Sequence, residues 1–173
     1  MNSIIPFAQL FKFTGPITGR KKLQKMVHLL QACGGASFGV TFSLGRYGAF
    51  SSGLASVLDQ LTESGLVQTN ATVSGDYPTQ AYSASEEFLD VLDFTEDPEE
   101  EPQWVALARE LNSWQMPMLE ATSTIVYLKQ AGWENEALEE QFRQSKPHLM
   151  HLFNAAMEQA VSLFKSPELS SNC

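Results

Sequence analysis

The spacing of apolar side chains in the first 64 residues is the feature that most restricts the fold. Apolar positions recur with a helical period in three separate stretches. Ser3 to Phe13 predicts a first helix, which a glycine-proline pair ends. Residues 18–34 predict a second helix with a single apolar stripe. Residues 51–64 predict a third helix, for which Ser51 or Ser52 can serve as the N-cap.

Strand patterns lie between and after these helices. Residues 38–44 alternate apolar with small or polar side chains, the period of a half-buried strand. Residues 66–73 and 80–83 are also strand-like, and the intervening SGDYPT predicts a hairpin loop. A short fourth helix is expected near Glu86. This order predicts a mainly α (α+β) fold, in which a winged-helix-like domain with a small β-sheet, residues 1–94, precedes a helical C-terminal extension.

The second half of the chain is predicted to be helical. Residues 95–103, TEDPEEEPQ, contain five acidic side chains and no apolar one, so they predict an acidic linker. Residues 104–165 contain four amphipathic patterns and are expected to form a helical bundle, whereas residues 166–173 are expected to form a disordered tail. The last helix, predicted over Pro147 to Phe164, has so wide an apolar face that it is either buried internally or used in a homodimer.

Charge is unevenly distributed along the 173 residues, whose formal net charge is −9. Residues 1–70 contain six basic and two acidic side chains, whereas residues 71–173 contain five basic and eighteen acidic ones. Such asymmetry suggests nucleic-acid binding, an acidic tail or attraction between the halves. Two cysteines do not make a disulfide framework, and neither a membrane span nor a secretion signal is recognisable. We therefore expect a cytoplasmic protein without membrane contact.

Two groups of motifs carry a family resemblance. GRKKLQKMVHLL, a phenylalanine-alternating strand and GRYGAFSSGLASVLDQLTESGLV resemble, over residues 17–84, the bacterial and archaeal YwgA-like proteins and, more remotely, the Panacea (SocA-like) antitoxin domain. The later ATSTIVYLKQAG and SKPHL resemble the family's C-terminal helices, although Ala49 stands where the family turn has proline. The resemblance implies a winged-helix-like fold without an established catalytic role. For the Panacea relatives it also implies toxin neutralisation by protein binding.

A cluster of basic side chains begins the second predicted helix. In one interpretation it binds a phosphate backbone together with the helix amino terminus, and in another it is a solvated helix face. In a third, it contacts carboxylates, either those of Glu96 to Glu101 in the same chain or those of an acidic partner. No lysine or arginine lies between Arg46 and Arg109, a range that contains the third helix and the whole wing. Because DNA binding recruits several cationic contacts, the carboxylate interpretation is favoured.

The predicted partner-binding residues combine these cations with two aromatic anchors near the turn after the first strand. They are Arg20, Lys21, Lys22, Lys25, Arg46, Tyr47 and Phe50.

Side chains typical of catalytic or metal sites are sparse. His148 and His151 have a helical spacing that can hold a metal, but no cysteine or carboxylate stands at a matching position. His28 and Cys33 belong to the apolar side of the second helix, so packing is their expected role. Phosphate-loop and nucleophile-elbow motifs are absent from the sequence. We therefore expect no enzymatic activity, no catalytic residue, no metal and no cofactor.

Together these features predict a non-enzymatic regulatory interaction module that binds a protein partner, in an antitoxin-like or adaptor role, through a winged-helix scaffold. The alternative is a DNA-binding transcriptional regulator that dimerises through its last helix, with weak DNA binding by one subunit. A small-molecule-sensing domain is a third hypothesis. It would contain a closed apolar pocket between the helical half and the winged helix.

Overall fold

The computed structural model describes residues 4–165. Within this range the protein is mainly helical and has a small antiparallel component, as the sequence predicts. The α-helices are α1 (Ile5–Thr14), α2 (Arg20–Cys33), α3 (Ser52–Glu63), α4 (Glu86–Leu89), α5 (Val105–Ser113), α6 (Met116–Gln130), α7 (Asn135–Ser145) and α8 (Phe153–Lys165). The β-strands are β1 (Ile17–Thr18), β2 (Ser43–Gly45), β3 (Gly48–Phe50), β4 (Val67–Ser74) and β5 (Tyr77–Ala84). The predicted disordered tail, residues 166–173, lies outside the described residues.

Three strands form the larger sheet in the order β1-β5-β4, and both pairings are antiparallel. In the β4–β5 hairpin, Ser74 pairs with Tyr77, so the connection is only Gly75 and Asp76 rather than the predicted SGDYPT. Gly75 has a φ of 60°, a conformation that tight hairpin turns require and that glycine adopts without strain. The hairpin was therefore predicted correctly, but with a loop that is too long.

The predicted strand at residues 38–44 is wrong for most of its length. Phe38 and Val40 are buried, as the alternation requires, but strand pairing begins only at Ser43. The Gln31 side chain of α2 satisfies the irregular backbone instead. Its Oε1 accepts bonds from the Phe38 and Val40 amides at 3.0 and 3.4 Å, and its Nε2 donates to the Val40 carbonyl at 2.9 Å. A single carboxamide therefore replaces a neighbouring strand.

Buried apolar side chains from both halves of the chain form one hydrophobic core within the described residues. α2 packs against both α5 and α6, and α1 packs against α5. The Phe38 ring of the first half lies 5.7 Å from the Trp104 ring of the second half. Residues 95–103 contain neither helix nor strand. The domain boundary that we expect there stays a prediction.

The last helical region is divided, in contrast to the single helix predicted from Pro147. A 3₁₀-helix, Pro147–Leu152, precedes α8, and a second one, Asp90–Phe94, follows α4. α8 packs against α6, so much of its apolar face is used inside the protein. The side chains that α8 buries are Phe153, Ala156, Ala160 and Leu163. Homodimer formation through this helix stays a prediction.

No helix in residues 4–165 combines the length and apolar character needed to cross a lipid bilayer.

Candidate functional site

Three of the predicted partner-binding residues, Lys21, Arg46 and Tyr47, lie together at the surface, and a fourth, Phe50, is exposed three residues further along the chain. Lys21 is in the first turn of α2, Arg46 and Tyr47 connect β2 to β3, and Phe50 ends β3. The Lys21 ammonium lies 4.1 Å from the centre of the Tyr47 ring, and the Arg46 guanidinium lies 5.8 Å from it. The Tyr47 and Phe50 side chains are 53% and 44% exposed. We call Lys21, Arg46, Tyr47 and Phe50 the turn patch.

The other predicted cations of α2 have partners within the chain. Arg20 donates to the Asp59 carboxylate of α3 at 2.5 Å, an exposed ion pair. Lys22 donates to the Asn112 carbonyl oxygen at the end of α5, and partial burial lowers the pKa of its ammonium. Both cations therefore tie α2 to neighbouring helices, which leaves Lys21 as the α2 cation that belongs to the turn patch.

The prediction that Lys25 is a partner-binding residue is wrong, because its side chain is buried. Its side chain is 2% exposed, and its ammonium donates to the Ala49 carbonyl oxygen at 2.6 Å. Burial lowers the pKa of Lys25 to about 8, Lys146 and Lys21 lower it further, and Glu120 opposes the shift. Lys25 therefore cannot contact a docked partner directly. It supports the turn patch from inside.

A second buried lysine, which the sequence analysis missed, supports the same turn. Lys146 follows α7, and its ammonium donates to the Arg46 carbonyl oxygen at 2.9 Å and to Glu120 Oε1 at 2.6 Å. Sequence spacing gave no signal for it, because its partners are 100 and 26 residues away. We call Lys25 and Lys146 the buried lysine pair. Through the carbonyl oxygens of Ala49 and Arg46, the pair anchors the turn to the protein interior on both sides of Tyr47.

The acidic segment 95–103 does not contact the basic cluster, so the intramolecular pairing that we considered is wrong. Glu99 pairs instead with Lys12 of α1 at 2.8 Å. Glu101 pairs with Arg109 of α5, whose two terminal nitrogens donate to the two carboxylate oxygens at 2.7 and 2.8 Å. The acidic segment is therefore fastened to α1 and α5, and the turn patch keeps its positive charge.

The start of α3 is fixed next to the turn patch. Of the two predicted caps, Ser51 and Ser52, the structure selects Ser51, which accepts a bond from the Leu54 amide at 3.1 Å. The Gln24 carboxamide of α2 holds the Ser51 backbone on both sides, donating to its carbonyl and accepting from its amide at 2.9 Å each. Further along α3, Asp59 and Glu63 are exposed. The outer face of α3 is therefore acidic rather than basic.

Side chains with catalytic potential are either buried or isolated. Cys33 is buried, and burial raises the pKa of its thiol to about 12, so the nucleophilic thiolate is strongly disfavoured. His148 and His151 are both exposed in the 3₁₀-helix before α8. Across residues 4–165, no three His, Cys, Asp or Glu side chains form a group that could hold a metal ion.

His28 lies at the contact between α2 and α6 and packs as expected. Its ring centre is 4.9 Å from that of Phe42, and its Nδ1 is 2.8 Å from the Ser123 hydroxyl. Burial lowers the pKa of His28 to about 4, the charge of Lys25 adds to this, and the Gln130 side chain opposes it. His28 is therefore neutral in the folded protein at physiological pH.

This neutral histidine predicts a loss of stability in acid. Between its folded pKa of about 4 and its unfolded value of 6.5, the unfolded chain binds more protons than the folded one. The stabilisation is complete above pH 6.5 and disappears as the pH falls towards 4. Between pH 7 and pH 4.5, the free energy of unfolding of the wild type should fall by about 2–3 kcal/mol more than that of His28→Phe, because the variant lacks the titrating imidazole. Urea unfolding at the two pH values measures the difference.

The exposed His151→Gln variant is the control, and it should follow the wild type at both pH values. An equal loss in wild type and His28→Phe would contradict a depressed His28 pKa.

Comparison with known proteins adds no family assignment. No protein-family model matches the sequence, and no curated protein matches it either. The resemblance described from the motifs in residues 17–84 therefore stays a prediction.

Proposed function

We propose that this protein is a non-enzymatic regulatory interaction module, antitoxin-like or adaptor in role, that binds a protein partner through the turn patch. The partner's surface would combine carboxylates, which match Lys21 and Arg46, with an apolar pocket that receives Tyr47 or Phe50. The scaffold in this proposal is a winged helix of the YwgA-like or Panacea type.

The arrangement of elements supports the winged-helix part of the proposal. α1, β1, α2, α3 and the β4–β5 hairpin follow one another in the order of a winged helix, with the small β2–β3 hairpin inserted before α3. β1 pairs with β5, which closes the sheet in the order β1-β5-β4. In this assignment α3 is the recognition helix and the β4–β5 hairpin is the wing.

The single observation that carries the proposal is that the backbone on both sides of the exposed Tyr47 ring is hydrogen-bonded to the protein interior. The Arg46 and Ala49 carbonyls on either side of Tyr47 are each held by an interior ammonium. Because the turn is ordered before a partner arrives, little conformational entropy is lost on binding. Tyrosine and arginine are also among the residue types enriched at the energetic centres of protein interfaces.

Charge supports a protein partner rather than a duplex. The exposed carboxylates of α3 include Glu63, and the β4–β5 hairpin contains no lysine or arginine. Arg20, the cation nearest α3, is already paired with Asp59. A duplex placed against α3 and the hairpin would therefore meet negative charge, whereas binding to DNA at physiological salt requires several cationic contacts.

The test is affinity purification from the native host followed by mass spectrometry, with the wild type and Tyr47→Ala as baits. We expect a partner that the wild type recovers and Tyr47→Ala loses. With the purified partner, the substitution should weaken binding about 30-fold, the effect of losing a central aromatic anchor. Because Tyr47 is exposed, the variant should unfold at nearly the wild-type temperature.

The matched control is Tyr77→Ala, since Tyr77 is a still more exposed tyrosine on the β4–β5 hairpin. It should retain the partner. A random-sequence duplex should bind weakly at low salt and dissociate near physiological salt. A tight, sequence-selective complex that survives that salt would instead favour the DNA-binding regulator.

A further inference from the structure

We propose that the outer face of α8 binds the same face of a second copy of this chain, in an antiparallel arrangement about a two-fold axis. α8 packs one side against α6, but the side that faces away from the interior also carries apolar side chains. The inference gives the predicted homodimer a defined geometry. It does not depend on the proposed function, because no turn-patch residue lies on α8.

The outer face of α8 has an apolar stripe. Met157, Val161 and Phe164 follow one another at spacings of four and three residues, which places them on one side of the helix. Met157 and Val161 are half-buried and border an open surface groove, and the Phe164 side chain is 42% exposed. Apolar side chains grouped at the surface in this way are typical of protein interaction sites.

Two charges of opposite sign lie beside the apolar stripe. Glu158 follows Met157, and Lys165 follows Phe164, so the two charges are seven residues apart on the same side of the stripe. Both side chains are exposed, and neither forms an ion pair within the part of the chain that the structure describes. Both charges are therefore available to a second molecule.

A two-fold axis matches these two charges to each other. In a symmetric pair of identical faces, every contact occurs twice, once in each direction. If the axis passes between residues 161 and 162, Glu158 of one copy and Lys165 of the second copy stand at the same height, because each lies equally far along its helix from the axis. Two equivalent ion pairs then form together.

The same axis also pairs the apolar side chains. It brings Val161 of the two copies together at the centre and places Met157 of one copy next to Phe164 of the other. Both apolar stripes then lie on one side of the helix pair and both ion pairs on the other side. A parallel pair would instead place identical charges opposite each other, which is repulsive. Charge therefore favours the antiparallel arrangement.

The size of the face limits the affinity. A helix of 13 residues against its copy buries at most about 1,000 Å² in total, which is small for a specific interface. We therefore expect a reversible dimer with a dissociation constant of about 10–100 µM. Sedimentation equilibrium of the full chain, at concentrations from about 1 to about 500 µM, brackets this value.

Charge reversal tests the two ion pairs. Glu158→Lys should weaken the dimer at least about tenfold, because a lysine would then face Lys165 of the second copy at two equivalent places. Lys165→Glu should have the same effect. Combining the two substitutions restores opposite charges, so the double variant should dimerise nearly as well as the wild type. The control is Glu110→Lys, the same change at an exposed position of α5, which should not alter the dimer.

Cysteine crosslinking tests the antiparallel arrangement. The chain for this test carries Cys173→Ser, which leaves the buried Cys33 as its only native cysteine. Val161→Cys, next to the axis, should form a disulfide between copies under mild oxidation. Asn154→Cys, at an exposed position seven residues earlier on the same face, should not, because its two copies would lie about 20 Å apart. A parallel pair would bring both positions together.

Three results would overturn the proposal. One is a wild type that stays monomeric at about 500 µM, as it would if residues 166–173 or a different protein covered the face. Another is a dimer that Glu158→Lys leaves unchanged or that the double variant fails to recover. The third is a disulfide through Asn154→Cys. Tyr47→Ala should dimerise like the wild type, so a failure here is distinguishable from a failure of the proposed partner binding.

Discussion

Replacing Glu120 with glutamine is expected to lower the free energy of unfolding by about 3 kcal/mol, as expected for breaking a largely buried ion pair. Glu120 pairs with Lys146, which is fully buried, and its charge also acts on Lys25. Glutamine keeps the shape and an acceptor oxygen but removes the negative charge, which leaves two interior ammonium groups without a counter-charge. Urea unfolding at pH 7 measures the loss.

A matched surface substitution separates this effect from the general cost of removing a carboxylate. Glu99→Gln also breaks a lysine pair, but the Glu99 side chain is 84% exposed, so its effect should be much smaller. Combining Glu120→Gln with Lys146→Met should cost less than the two single losses added together, because the double variant removes both members of the pair. Strict additivity would show that the two charges do not stabilise each other.

Elements that depend on neighbouring residues could be predicted from the sequence. α2 and α3 follow from apolar spacing, and the start of α3 at Ser51 follows from capping chemistry that involves only the next three residues. The β4–β5 hairpin was recognisable for the same reason. In each case the pattern and the hydrogen bonds that it produces lie within one short segment.

The strand predicted at residues 38–44 shows the limit of such patterns. Alternation reports which side chains are buried, and it was correct for Phe38 and Val40. It does not report what satisfies the backbone, and here the partner is a glutamine side chain on α2 rather than another strand. Burial and strand pairing are separate physical requirements, and the sequence pattern contains only the first.

The buried lysine pair could not be predicted for a related reason. A lysine in a basic run is normally assigned to the surface, because an ammonium is costly to bury without partners. For Lys25 and Lys146 those partners are backbone carbonyls of the turn at Arg46 and Ala49, which only the folded chain brings near. A net charge of +4 over residues 1–70 therefore overstates the positive surface of that half.

The same buried charges explain how the turn patch is held. Tyr47 projects from a turn whose backbone is bonded inwards at two carbonyls, so the interior fixes where the ring points. Any change that moves this backbone should alter partner binding without touching an exposed side chain. Gly48 lies between the two bonded carbonyls, so a side chain added there would move this backbone.

Replacing Gly48 with alanine is accordingly expected to lower the free energy of unfolding by about 2–4 kcal/mol. Gly48 has a φ of 85°, which side-chain-bearing residues rarely adopt, and an added Cβ would lie 2.9 Å from Thr124 Oγ1 and 3.4 Å from Lys25 Nζ. The new methyl group would therefore press against α6 and the buried lysine pair. Thermal and urea unfolding measure the effect, and binding of the proposed partner should weaken with it.

Gly75→Ala separates backbone strain from crowding. Gly75 also has a positive φ, but nothing lies within 4 Å of an added Cβ, so this variant should lose only the strain contribution of about 1 kcal/mol. Adding Thr124→Ala to Gly48→Ala should recover part of the loss, because it removes the oxygen nearest to the new methyl group. Equal losses in Gly48→Ala and Gly75→Ala, with no recovery, would mean that the turn does not press against the interior. The packing of Gly48 would then no longer support a fixed turn, on which the proposed role of the turn patch in binding depends.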